Sequence, residues 1–388
     1  MTTVLILDAQ QRSALAATRS LGRRGIKIYV ADAAPTTLAG SSRFAYQQLR
    51  CPDPMDAPLR FVDWVKEVAA TAKTDIVMPM TDQSSMLLAP VQHDISGKVA
   101  CGEAQSYELI SNKAKLMEIG AAAGIALPRT QLAHSIDELR QILANARFPV
   151  VLKPARSKIL VGDRIVPTAV HIAQTSAEAN LYARQQVWLG IEPCLVQEFI
   201  PGHGAGVFAF AHNGQTLAWF AHRRVREKPP QGGVSVLSES TPTNSNLIAA
   251  SEKLLAAAKW TGPAMIEFRI ADDGTPYLME VNARLWGSLQ LAVDCGVDFP
   301  WLMVESLTNT SIEGVRFYRQ GRRLRWLLGD LDNLLIQLRQ GPIRGSRAQA
   351  ISEFLFTFLD PRTRQEIFRW NDPAPAWFEL KSWLRSAL

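Results

Sequence analysis

The stretch MIEFRIADDGTPYLMEVNARLWGS, residues 265–288, constrains this chain more than any other. Two apolar runs, 265–270 and 277–282, flank a six-residue connection carrying Asp-Asp-Gly and a proline. That composition predicts a β-hairpin. With Ile270 paired to Tyr277, Glu267 falls directly opposite Glu280, and Asn282 lies two residues on along the same face. Like charges with Cβ atoms about 5 Å apart destabilise a bare sheet. Two carboxylates and an amide oxygen are, however, hard ligands of the kind Mg²⁺ or Mn²⁺ accepts, and a divalent cation would remove the repulsion. The competing reading is a solvated hairpin whose acids face water. Both strands are otherwise strongly apolar, which predicts one face in a core and the other lining a cleft.

At 388 residues the chain is long enough for two or three domains. With 47% hydrophobic and 20% charged residues it has an ordinary globular composition. No run of 18 apolar residues occurs, so no membrane span is expected. The opening MTTVLILDAQQ reads as a first strand and lacks the basic start and cleavage site of a signal peptide. Cys51, Cys101, Cys194 and Cys295 show no paired spacing, which predicts reduced thiols, a cytoplasmic location and no structural zinc. The net charge of +6 suits anionic partners: nucleotides, acidic metabolites or an anionic membrane surface. Most of the excess lies after residue 306, where 13 Lys/Arg stand against 8 Asp/Glu. No aromatic–basic RNA motif or zinc-finger spacing appears, so no nucleic-acid partner is expected.

Along the chain, strand 4–8, helix 11–24 and strand 26–31 form a βαβ unit and hence a parallel sheet. The first turn has no G-x-G-x-x-G, so Asp32 after the second strand reads as a capping or turn residue rather than a ribose ligand. Helix 57–72 leads to strand 75–80, which ends in Thr81-Asp82. Polar residues at that end of a parallel strand sit where ligands bind, and N-capping of the next helix is the alternative. After residue 105 the texture changes. A helix is predicted from Asn112 to Ala123, stopped by Gly124. Strand 148–153 ends in Lys153, whose ammonium needs an anionic partner, either a phosphate or a structural carboxylate. A basic loop with a single glycine, Gly162, is expected at 154–166. Strands 194–200, 206–211 and 216–221, with Pro-Gly and Asn-Gly turns, predict an antiparallel sheet. Residues 222–235, HRRVREKPPQGGVS, read as a mobile basic loop: a clamp for phosphate or carboxylate, or a solvated loop. Helix 243–258 then leads into the acidic hairpin.

Taken in order, Lys113, Lys153, the QEFIPG turn, the basic loop and the closing E267…E280-V-N282-A-R284 resemble the ATP-grasp superfamily. The resemblance covers roughly residues 1–305, and the closing motif is its specific part. It implies α/β plus α+β architecture: an N-terminal parallel βαβ domain (1–105), then a two-lobed ATP-grasp domain (106–306; lobes about 115–200 and 200–306) with antiparallel sheets, then a basic, Trp-rich, helical C-terminal region (307–388). It also implies roles. Lys113 and Lys153 match the two ATP-binding lysines, the second reaching the α- and β-phosphates. Gln197, Glu198, Phe199 and Ile200 match the hinge beside the adenine, read through the backbone of Glu198 and Ile200. Glu267, Glu280 and Asn282 match the metal ligands. Arg284 matches an arginine that meets the transferring phosphoryl group or the substrate, and Arg224 a basic residue of the same site. The cofactors implied are ATP and two Mg²⁺ (or Mn²⁺) ions.

ATP carries about four negative charges, which metal ions and lysines neutralise for in-line transfer. In the family this chain resembles, a substrate carboxylate attacks the γ-phosphate, and an amine, less often a thiol, displaces phosphate from the acyl phosphate. Positioning and electrostatics carry such catalysis, so no nucleophilic side chain is required. Arg156, Ser157 and Lys158 stand where the family has covering glycines, and His203 occupies the neighbourhood of the ribose-binding acid. The expected function is an ADP-forming carboxylate–amine ligase with small-molecule partners. The alternatives are an ATP·Mg-binding scaffold without turnover and a bicarbonate-activating module. In the C-terminal region, helices are expected at 322–340 and 347–359, followed by a tail carrying Trp370, Trp377 and Trp383. They would pack on the ATP lobes or a homodimer mate, or attach to an anionic membrane surface.

Overall fold

The computed structural model describes residues 2–309, 312–343 and 345–387. Its first sheet is parallel, with the strands in the order Gln47–Arg50, Lys27–Asp32, Thr3–Ile6, Ile76–Met78 and Lys98–Val99. Two antiparallel four-stranded sheets follow. One runs His171–Ala173, Val150–Pro154, Cys194–Glu198, Thr130–Ala133. The other runs Gln215–Phe220, His203–His212, Gly262–Ile270, Pro276–Asn282. The fold is thus α/β plus α+β with a mainly helical C-terminal extension, as the resemblance implies.

Three apolar clusters hold these layers. Alternate residues of strand Thr3–Ile6 feed opposite sides of the first sheet: Leu5 belongs to the apolar cluster that includes Ile266, Phe268 and Leu278 of the acidic hairpin, whereas Val4 and Ile6 belong to the one that includes Phe208, Phe210 and Leu324. The sheet containing Lys153 has a separate core around Leu139, Leu152, Trp188 and Val196. It therefore makes a distinct lobe.

The structure corrects three local expectations. Residues 154–166 are not a loop: Lys158–Val161 and Arg164–Pro167 pair as a β-hairpin turning at Gly162 (φ +63°). The basic stretch 222–235 is mostly strand as well. His222–Lys228 pairs with Val234–Ser240, leaving only a short Pro-Pro-Gln-Gly-Gly connection. Helix 322–340 starts late: Arg323–Arg325 is a strand added to that hairpin, and the helix is Leu327–Gln340 with Gly329 inside it. Strand Thr363–Gln365 completes this fourth sheet in parallel. Periodicity misleads here because RLR is a short strand in register with Leu237–Glu239, a long-range pairing with no local signal.

The C-terminal extension is held by buried ion pairs. Arg19, on helix Arg12–Gly22, is 1% exposed. It donates to the Asp372 carboxylate (2.8 Å) and to the carbonyls of Glu366, Ile367 and Asp372. Arg325 and Arg226 both donate to the buried Asp330. Buried charges persist only when paired and hydrogen-bonded, so these contacts fix residues 366–372 against helix Arg12–Gly22 and the start of helix Leu327–Gln340 against the basic strand. Trp383 donates to Asp332, whereas Trp370 and Trp377 face outward. Among the described residues no helix is long and apolar enough to cross a membrane.

Candidate active site

The acidic hairpin pairs in two registers. At its tip Ile270 lies opposite Pro276 and Phe268 opposite Leu278, one residue off the simple expectation. A bulge at Met279 absorbs the difference, so Glu267 does oppose Glu280 and Met265 opposes Asn282. Leu278 and Val281 point into the core, and Met279, Glu280 and Asn282 remain partly open to the cleft. The Asn282 amide donates to Glu267 Oε1 at 3.2 Å. Burial, with Glu280 adding to it, pushes the Glu267 carboxyl up to about 7. Burial also opposes ionisation of Glu280, yet Lys113 and Lys153 hold its carboxyl below the ordinary range.

Lys113 is the first residue of helix Lys113–Ala122, whose N-cap Asn112 accepts from the amides of Ala114 and Lys115. Its Nζ lies 3.3 Å from Glu280 Oε2 and donates to Ser157 Oγ at 3.1 Å. Lys153 enters from strand Val150–Pro154, with Nζ 3.8 Å from Met279 Sδ. Burial pushes its ammonium down to about 8, with Lys113 adding to that effect against the pull of Glu280 and Glu267. Arg224, on the basic strand, donates to Glu227 and places Nη2 3.9 Å from Glu267 Oε1. Arg284 forms a two-bond pair with Asp82, at 2.8 and 3.0 Å. Thr81 caps helix Asp82–Leu88 through Ser84. The two readings of Thr81-Asp82 therefore divide between the residues: one caps, the other reaches the site.

Seven of the sequence-derived candidates converge: Lys113, Lys153, Arg224, Glu267, Glu280, Asn282 and Arg284. The hinge residues behave differently. The Gln197 side chain donates to Thr130 Oγ1 inside the lobe, and the Glu198 carboxylate is taken by the amide and guanidinium of Arg129. Arg269 donates to the Ile200 carbonyl and lies beside the Phe199 ring. Any adenine recognition there falls to backbone groups. The chain can turn at this point because Gly202 adopts φ +129°; a Cβ would lie 1.9 Å from the Ile270 carbonyl oxygen. Arg156 does not face the cleft as a free cation, since it is paired with Glu108 and Glu192. Lys158 remains, lining the space between Lys113 and Glu280. Asp32 accepts from the amides of Gln10 and Ala34, a turn role.

Beyond the acidic rung lies a cavity of about 240 Å³, lined by Arg12, His222, Arg224, Arg284, Trp286 and Ser288 among others. Arg12, His222 and Ser288 escape sequence reading, because Arg12 arrives from the first helix and no spacing links it to the hairpin. Burial pushes the His222 imidazole down to about 3, so it is neutral, with Nε2 3.0 Å from Ser288 Oγ. A wider cleft beside it includes His203, Arg269 and Glu267. Among the described residues no cluster of three or more His, Cys, Asp or Glu side chains could hold a metal unaided. Glu267, Glu280 and Asn282 nevertheless present hard oxygens of the kind Mg²⁺ accepts, and these residues would hold such an ion. Such a site would bind metal together with a nucleotide.

The family described as "ATP-grasp in the biosynthetic pathway with Ter operon" matches residues 190–328, which contain the acidic rung. The structure resembles an N5-carboxyaminoimidazole ribonucleotide synthetase determined in complex with ADP (TM-score 0.62, 15% identity, 87% of this chain and 84% of that one). The chain has the ATP-grasp fold. The ATP-grasp fold is shared with an L-amino acid ligase from Bacillus licheniformis (TM-score 0.60, 18% identity, 83% of this chain and 78% of that one). In sequence the chain is similar to the uncharacterized protein y4rH of Sinorhizobium fredii, 27% identical over 202 residues, 49% of this chain and 40% of the relative. It is also similar to the probable alpha-L-glutamate ligase 1 of Pseudoalteromonas atlantica, 26% identical over 199 residues, 50% and 61% respectively. The matched part is thus less than two thirds of either relative's length.

In an ATP-grasp cleft the low Lys153 value has a measurable consequence. The ammonium is charged below about 8 and attracts phosphate there. ATP affinity measured in EDTA is expected to fall as pH rises through 8, and Lys153→Met should flatten that dependence. A wild-type affinity constant between pH 7 and 9 would contradict the assignment.

Proposed function

We propose that the chain is an ATP-dependent, ADP-forming ligase that activates a carboxylate as an acyl phosphate and couples it to an amine. The observation that carries this reading is the facing Glu267–Glu280 pair with Asn282, set between Lys113 and Lys153 on one side and an arginine-rich cavity on the other. Lys113, Lys153 and Lys158 supply positive charge for the phosphates, and Glu267, Glu280 and Asn282 would hold Mg²⁺, or Mn²⁺. The metal's contribution, once bound, is to neutralise charge on the β- and γ-phosphates. Arg224 and Arg284 flank the cavity where an acid would place its carboxylate for in-line attack on the γ-phosphorus. Neutral His222 and Ser288 offer hydrogen bonds without adding charge.

The carboxylate oxygen forms a bond to phosphorus as the bond to ADP breaks. The amine nitrogen then bonds to the acyl carbon as phosphate leaves, taking the amine's proton. A scaffold that binds ATP·Mg without turnover is supported by one feature, the engagement of Arg284 by Asp82. Incubating the protein with ATP, Mg²⁺ and pooled carboxylates and amines separates the readings. ADP with a condensed product in the mass spectrum is expected; bound ATP without substrate-dependent ADP would replace the ligase reading with the scaffold.

A further inference from the structure

The C-terminal extension does more than brace the lobes. A chamber of about 560 Å³ lies next to the arginine-rich cavity and shares Arg12, Val234, Arg284 and Gly287 with it. Its outer wall comes from the extension: Trp326, Asp332, Phe378, Glu379 and Trp383. Both indoles are fixed through their N–H groups, Trp326 donating to Glu379 Oε1 at 2.6 Å and Trp383 to Asp332 Oδ1 at 2.8 Å. Both indoles thereby line the chamber at fixed positions, with Arg12 and Lys228 also close to the Trp326 ring.

The charges around this chamber are nearly all committed. Arg12 is paired with Glu366 and lies over the Trp326 ring at 4.2 Å. Lys228 is paired with Asp332 and Arg284 with Asp82. Glu379 alone among the chamber's carboxylates has no ion-pair partner among the described residues. Burial, with Glu366 and Asp332 adding to it, pushes its carboxyl up to about 7, as expected of an acid that lacks a counterion. A half-buried carboxylate flanked by fixed aromatic faces is a receptor for an ammonium or guanidinium group.

We infer that this chamber holds the amine substrate, and that this substrate is a diamine or basic amino acid whose distal cation sits at Glu379 between Trp326 and Trp383. The chamber adjoins the arginine-rich cavity at Arg12, Val234, Arg284 and Gly287, so an elongated amine anchored at Glu379 could extend its second nitrogen toward the acidic rung. The assignment of this ligand as the amine rests on the ligase reading, whereas the cation site itself does not.

Calorimetric titration of the full chain with 1,5-diaminopentane, L-lysine and n-pentylamine, in the presence of ADP and Mg²⁺, tests the site without turnover. At least one of the dicationic probes is expected to bind about tenfold or more tightly than pentylamine, a difference of about 1.4 kcal/mol. Glu379→Gln, which retains an oxygen to accept from Trp326, should erase that preference. Trp383→Leu should weaken the same probe several-fold without removing a charge, and it reads the site independently if Glu379→Gln fails to fold. Equal affinity for pentylamine, no binding of either dication, or an undiminished preference in Glu379→Gln would overturn the inference. Selective dication binding in a protein that releases no ADP with any acid would instead count against the ligase reading alone.

Discussion

Glu280→Gln is expected to lower substrate-dependent ADP release by about 10²–10³-fold while leaving the fold intact, the loss typical of removing one preorganised electrostatic group. The substitution is nearly isosteric, and Glu280 lies on an inner rung with Glu267 opposite and Lys113 3.3 Å away. The change removes the repulsion from Glu267 but also the carboxylate that pairs the buried Lys113 and faces Lys153, so the two effects oppose each other and only a modest loss of stability is expected. At the same time the hard-oxygen set loses its better-ionised carboxylate, since Lys113 and Lys153 hold Glu280 below the ordinary range while Glu267 is pushed up to about 7. Activity and stability should therefore move independently. Steady-state ADP release with a thermal melt on the same preparation is the check; turnover near wild type would remove Glu280 from the metal set.

The second large effect is on stability and lies far from the acidic rung. Asp372→Ala is expected to cost about 3–5 kcal/mol, because it strands the Arg19 guanidinium in the core. It also removes the acceptor of Ser42 Oγ and of the Arg43 amide, so three donors lose their partner together. The double replacement Arg19→Met with Asp372→Leu should recover most of the loss, since exchanging a buried ion pair for apolar groups is often close to neutral. Urea unfolding of the wild type, both single variants and the double gives the coupling. Additive single effects would show that the pair does not act as a unit.

The parts of this fold legible in the sequence are those with short-range signatures. Strand–helix–strand spacing gives the parallel sheet, Asn213-Gly214 gives a hairpin, and the acidic rung follows from alternation across the Asp-Asp-Gly connection. The bulge at Met279 carries no such signature. The rung falls in its true register because the expected Ile270–Tyr277 pairing is one residue off at the tip and the extra residue at Met279 offsets that difference. Composition misleads where a basic, glycine-containing stretch is strand: Arg224 and Arg226 sit on a strand because Val234–Ser240 pairs with them, and Arg226 is further tied to Asp330, 104 residues away. The cavity's remaining wall is invisible for the same reason. Arg12 and Asp82 meet the hairpin through tertiary packing, and Asp82 is separated from Arg284 by 202 positions.

That last pair changes what affinity means at this site. Arg284 is not a bare cation, because the Asp82 carboxylate, at the start of helix Asp82–Leu88, already accepts two hydrogen bonds from it. An acid that reaches Arg284 exchanges one carboxylate for another, and the Coulomb energies largely cancel. Discrimination among acids would then come from what the rest of each molecule touches. Because the released Asp82 starts helix Asp82–Leu88, which follows a strand of the first sheet, occupancy of the cavity would also loosen a tether between that helix and the residues after the acidic hairpin, and the two would report on each other through competition for a single guanidinium.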